Sequence, residues 1–168
     1  MPRAIKVLAA SRQRQAQPAD ALVLTLDERR THRGRVVTLK GVGIELDLEA
    51  PIWLRTDDTL VLEDGGLIDV VAAPEPLLDV RAADAATFMR VAWVLGDRHV
   101  PVQIVGHRLR LRRDPAIATL LSYYPVKIAE IQAPFDPEGG AYSGVLAEHH
   151  AYRHDHPHQH PRHHATRK

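Results

Sequence analysis

The chain has 168 residues, 45% hydrophobic but only 5% aromatic, with a formal net charge of +1. That suffices for one domain or two small ones around an aliphatic core, and argues against a nucleic-acid platform, which needs stacking rings and a strongly basic surface. The absence of cysteine excludes disulfides, thiolate metal sites, iron–sulfur clusters and thiol nucleophiles, and no apolar run approaches the roughly 18 residues that span a bilayer.

Met1 to Lys6 lacks the long apolar segment of a signal peptide, so a cytoplasmic location is expected. Ala4 to Ala9, Ala21 to Leu26, Gly34 to Leu39, Ile44 to Leu48, Thr59 to Leu62 and Leu67 to Val71 are rich in Val, Leu and Ile, and several alternate apolar with polar residues. They read as six short strands. Gly41-Val42-Gly43, Asp57-Asp58 and Glu63-Asp64-Gly65-Gly66 supply turns between them, the last a hairpin signal. No helical pattern occurs before Pro74, so residues 1–74 are expected to form an all-β barrel or sandwich.

Ala73-Pro74-Glu75-Pro76 reads as a boundary, because two prolines at that spacing favour a connector over a central strand. Beyond it, Leu77 to Val80 is a predicted strand and Asp84 a predicted helix cap. The helix is expected to run to about Leu95, with Ala85, Phe88, Met89, Ala92, Trp93 and Leu95 as its apolar stripe and Gly96 as its terminator. Strands are predicted at Val100 to Val105 and Arg108 to Leu111, around a Gly106-His107 turn. Asp114-Pro115 then opens a second helix to about Tyr124, with Ile117, Leu120 and Leu121 inward. Val126 to Ile131 is the last strand. This β-α-β-β-α-β order is the ferredoxin-like pattern, an α+β unit assigned to residues 75–145.

Residues 146–168 are a separate chemical object. Eight of the eleven histidines lie there: His149, His150, His154, His156, His158, His160, His163 and His164. Four cations against two carboxylates give this tail a net +2 and leave the body at −1. Rich in His, Pro, Gln and Arg, it cannot bury enough apolar area to offset the entropy of ordering, and is expected to be disordered without a ligand. Alternating imidazoles on an extended chain suit Ni2+, Cu2+, Zn2+ and Co2+ alike, a pointer to metal binding and not to one metal. A purification tag would be an uninterrupted run, whereas Asp155, Pro157, Gln159 and Pro161 break this one.

The body offers only His32, His99 and His107. It has no His-x-x-x-His pair, phosphate-binding glycine loop or nucleophile elbow, so an enzyme is not expected. His32 stands among Arg29, Arg30, Arg33 and Arg35, a charge run that reads as a solvated face. His107 reads as a hairpin residue. His99, beside a glycine turn, is by position alone a hydrogen-bonded structural residue, and one imidazole is too few for a tight site unless a two-fold axis pairs it with its copy.

Gly96-Asp97-Arg98-His99-Val100-Pro101-Val102-Gln103 resembles the glycine-x-arginine-histidine-valine-proline signature of the UreE family of urease accessory nickel metallochaperones. Asp27-Glu28-Arg29-Arg30 with Gly34-Arg35, then Val61-Leu62-Glu63-Asp64-Gly65, Ala73-Pro74-Glu75-Pro76, Ala133 to Tyr142 and the His-rich end resemble that family in the same order. The resemblance implies a β domain for protein contacts, a ferredoxin-like metal-binding domain and a homodimer whose interfacial nickel ligand falls on His99. It also implies delivery of nickel to apo-urease with an accessory GTPase. Some members carry further histidines near the start of the second helix; here Arg112-Arg113-Asp114-Pro115 stands there. The competing expectation is a metal store without a recipient.

Overall fold

In the computed structural model, which describes residues 1–10 and 16–139, the first six strands are β1 Arg3–Leu8, β2 Asp20–Leu24, β3 Arg33–Val37, β4 Gly43–Asp47, β5 Thr59–Leu62 and β6 Leu67–Ala72. They form one sheet in the order β2-β6-β5-β1-β4-β3. Period-two alternation sends Leu22 and Leu24, Ile44 and Leu46, Leu60 and Leu62, and Ile68 and Val70 to a shared aliphatic core. The two end strands curl toward one another: the Leu39 N–H donates to the Ala21 carbonyl at 2.9 Å, giving a nearly closed barrel. At the Glu63–Gly66 turn, Gly65 has φ +86, a conformation that excludes most side chains.

The second sheet is built from β7 Pro74–Ala82, β8 Gln103–Val105, β9 Arg108–Arg112 and β10 Val126–Pro134, with helices α1 Ala85–Asp97 and α2 Pro115–Leu121. Its order is β10-β7-β9-β8 and every pairing is antiparallel, the ferredoxin-like arrangement. Leu78, Val80, Leu109 and Leu111 on one face pack beneath Val91, Leu95 and Leu121 of the helices. No helix among the described residues is long and apolar enough to cross a membrane.

Four local expectations are corrected. Pro74 and Pro76 belong to central strand β7, not to a connector. Over that stretch only β10 lies alongside, since pairing with β9 starts at Leu77. The Pro76 carbonyl accepts from Arg113 on the β9 side, so its missing N–H also faces that side and costs no bond to β10. Helix α1 passes through Gly96 to Asp97. Its buried residues are Thr87, Val91 and Leu95, while Met89 and Trp93 are exposed: the helix carries two apolar stripes, and the sheet can cover only one. Helix α2 stops at Leu121, because Tyr124 precedes Pro125 and the α region is disfavoured there.

A third core joins barrel and sheet within one compact unit, residues 1–138. Leu26, Leu77 and Phe135 are fully buried together, with Trp53, Ile131 and Ala133 against them. Through this junction runs Arg29, which the charge run had placed on a solvated face; it is fully buried. Its guanidinium donates to the Leu54 carbonyl at 3.1 Å, to Asp136 Oδ1 at 2.7 Å and to the Phe135 carbonyl. Arg55 reaches the same Asp136 oxygen at 3.3 Å, and Arg30 and Arg55 each lie 4.8 Å from the centre of the Trp53 ring. Glu75 Oε1 accepts the Leu26 N–H at 2.7 Å, so the barrel is tied to β7 as well as to the segment after β10.

Candidate metal centre

His99 is positioned by the way α1 ends. Asp84 opens the helix, its carboxylate accepting from the Thr87 N–H at 2.7 Å and from the Thr87 hydroxyl at 3.2 Å. These bonds hold the Asp84 carboxyl below the usual carboxylate range. At the far end the His99 N–H donates to the Gly96 carbonyl at 2.9 Å and the Val100 N–H to the Leu95 carbonyl at 3.0 Å. That pair of bonds is a Schellman motif, with His99 at the left-handed position that glycine ordinarily takes. His99 has φ +54, one of two non-glycine residues with positive φ among the described residues.

The helix end therefore fixes the backbone of His99 while its side chain stays exposed. It shares a shallow surface depression with Arg98, Arg112, Arg113, Asp114 and Ile117. Asp114, the one carboxylate there, is engaged by the Ala116 and Ile117 N–H groups at 2.7 and 3.2 Å as the N-cap of α2. In a single chain one imidazole is too few for a tight site, and of the three guanidiniums around it Arg112 and Arg113 are paired with Asp27 and Glu130. Among the described residues, no group of three His, Asp or Glu side chains stands close enough to hold a metal ion.

The other sequence candidates fall elsewhere. His107 is exposed in the turn between β8 and β9, separated from His99 by β8. His32 is half-buried in the barrel, where its carbonyl accepts from Leu48. His149, His150, His154, His156, His158, His160, His163 and His164 lie outside the described residues.

Sequence reasoning missed the surface leading to His99. Met89 and Trp93, 64% and 73% exposed, stand one turn apart on the outward side of α1. Gly96 continues the same side with open space above it. The legible signal was the excess of apolar positions on α1: Phe88, Val91, Ala92 and Leu95 already make a complete inward stripe.

Comparison with known proteins gives one consistent result. The model of the N-terminal domain of the UreE urease accessory protein matches residues 3–73, and that of its C-terminal domain matches residues 75–164. The chain is 46% identical over 132 residues to the urease accessory protein UreE of Beijerinckia indica, covering 79% of this chain and 76% of that protein. It is 48% identical over 143 residues to the UreE of Bradyrhizobium sp. strain ORS 278, covering 85% and 68%. To that of Rhodopseudomonas palustris strain HaA2 it is 50% identical over 125 residues, covering 74% and 58%.

Proposed function

The chain belongs to the UreE family of urease accessory proteins, nickel-binding chaperones rather than enzymes, and we propose that it holds Ni2+ between the two His99 side chains of a homodimer and passes it to apo-urease together with the urease accessory GTPase. The match of both domain models, in order, to one chain carries this reading. The exposed imidazole on a fixed backbone gives it a geometry. A two-fold axis near it would turn one such residue into two nitrogens. The Met89–Trp93 stripe supplies apolar area beside it for the second protomer.

Two imidazoles leave the coordination shell open, and an open shell suits a carrier that must release its ion. In this reading residues 75–145 are the dimerisation and metal-binding domain. The barrel, residues 1–74, docks protein partners, and residues 146–168 gather further ions on His149, His150, His154, His156, His158, His160, His163 and His164. Zn2+ and Cu2+ compete for the same nitrogens, because imidazole affinity alone does not favour nickel over copper. The barrel favours delivery over storage, since a store needs no docking domain.

Calorimetric titration with Ni2+ tests the proposal on three proteins: the full chain, a chain ending at Gly144, and that shorter chain with His99→Ala. Stoichiometry is expected to fall on truncation to about one ion per dimer and the tight site to vanish with His99→Ala, the dimer persisting by sedimentation. Retention of a half-ion per chain in the His99 variant refutes the assignment.

A further inference from the structure

The face of the second sheet turned away from its helices divides into two unlike ends. At one end Glu75 and Leu77 are buried against the barrel, with Ile131 and Ala133 partly buried beside them. At the other, the register lines Lys127, Arg81 and Arg108 up in one row across β10, β7 and β9. Arg110 follows in the next row, opposite Asp79. Directly opposed side chains in a sheet lie roughly 5 Å apart, and like charges so placed are destabilising. A row of three cations thus costs the fold something, and the local compensation is slight. Asp79 is shared between Arg110, at 2.9 Å, and Arg108, at 3.4 Å, while Arg81 and Lys127 are exposed and have no ion pair among the described residues.

We propose that this row is a docking surface for a protein presenting an acidic patch. Charge complementarity selects the occupant: Asp79 fixes the fork of Arg110 and steadies Arg108, leaving Arg81 and Lys127 free to meet carboxylates. A second copy of this chain would bring the same cations against one another. Nucleic acid finds no ring to stack on, because the side chains around the row are Val105, Gln103, Asp79 and Ala129. The surface is distinct from the His99 cap and from the Met89–Trp93 stripe, so it remains available in the proposed dimer. It also does not depend on nickel delivery.

The test uses the full chain at about pH 8, where free imidazole is neutral, with fluorescein-labelled poly-glutamate as the probe and anisotropy as the readout. Arg81→Glu/Lys127→Glu is compared with Arg33→Glu/Arg35→Glu, an equal change of net charge on the barrel, and with the milder Arg81→Gln/Lys127→Gln. The sheet-face reversal is expected to weaken binding about tenfold and flatten its salt dependence, the Gln variant to fall between, and the barrel reversal to change it by less than about threefold. Circular dichroism and Ni2+ stoichiometry, both expected to be unchanged, separate loss of this surface from loss of fold or of the metal site. Equal weakening by the two reversals reduces the effect to net charge and overturns the proposal. Tighter binding of a short single-stranded RNA through Arg81 and Lys127, or loss of the dimer in the sheet-face variants, overturns it equally.

Discussion

The junction around Arg29 and the helix end around His99 treat a basic side chain in opposite ways. Arg29 is fully buried and its guanidinium donates to two backbone carbonyls and a carboxylate drawn from two distant segments of the chain. His99 is exposed, it shares a depression with three arginines and an N-cap aspartate, and its backbone stands in a left-handed conformation. In the first place the surroundings take up both terminal nitrogens of the side chain and leave only Nε without a hydrogen bond, and stability is what results. In the second, the surroundings fix the backbone and leave the side chain exposed, as the proposed role of a ligand requires.

The largest effect is expected at Arg29. Arg29→Ala leaves Asp136 half-buried beside Arg55 alone and strips the Leu54 and Phe135 carbonyls of their donor, so a loss of about 3–5 kcal/mol of stability is expected. Denaturant melts of the variant read this directly. Arg29→Met, which retains apolar volume but no donor, should also be strongly destabilised, since the acceptors stay buried and unpaired. If either variant melts with the parent, the junction is not what holds barrel and sheet together.

At His99 a smaller effect of the opposite sign is expected. A left-handed residue with a Cβ costs roughly 1 kcal/mol that glycine avoids, so His99→Gly should raise stability by about that amount while removing the tight Ni2+ site of a chain ending at Gly144. A substitution that improves the fold and removes the ligand would mark the residue as kept for function. A drop in stability would show instead that the imidazole makes packing interactions at the helix end.

These two regions also mark what the sequence made legible. The barrel strands were readable because Leu22, Leu24, Ile44, Leu46, Ile68 and Val70 alternate, and the ferredoxin-like order because Asp84 and Asp114 are unambiguous caps. Arg29 was not readable. Its partners, Leu54, Phe135 and Asp136, lie 25 to 107 residues away, and nothing in Glu28-Arg29-Arg30 distinguishes the buried cation from its exposed neighbours. Propensity predicts an end to α1 at Gly96, but the helix runs on to Asp97 and the chain turns at His99 instead. The position of His99 came from the family resemblance, and its conformation only from the coordinates. Likewise Lys127, Arg81 and Arg108 are scattered in sequence and become one row only through strand register.

The two ends of α1 show the same contrast within one helix, and the effect expected there is the smallest. Asp84 does for the start of the helix what Arg29 does for the junction: its oxygens take up otherwise unpaired donors of the first turn. The Thr87 N–H, then the Thr87 hydroxyl, hold its carboxyl below the ordinary range, outweighing a weaker opposite push from burial. A carboxyl lower in the folded than in the unfolded chain contributes stability that is complete above the unfolded value, about 3.9, and is lost as pH falls through the folded one. Asp84→Asn keeps an acceptor but loses the charge, so its denaturation midpoint should lie slightly below the parent's at neutral pH, and the two should converge in strong acid. Above about pH 5 the difference should be flat, because Asp84 is then fully ionised in both states. Any change in Ni2+ affinity above that pH must therefore come from the imidazoles and not from a loosening of the helix that presents His99. A difference between Asp84→Asn and parent that instead varied between pH 5 and 8 would couple the cap to the histidine end, and the two ends of this helix would not act independently.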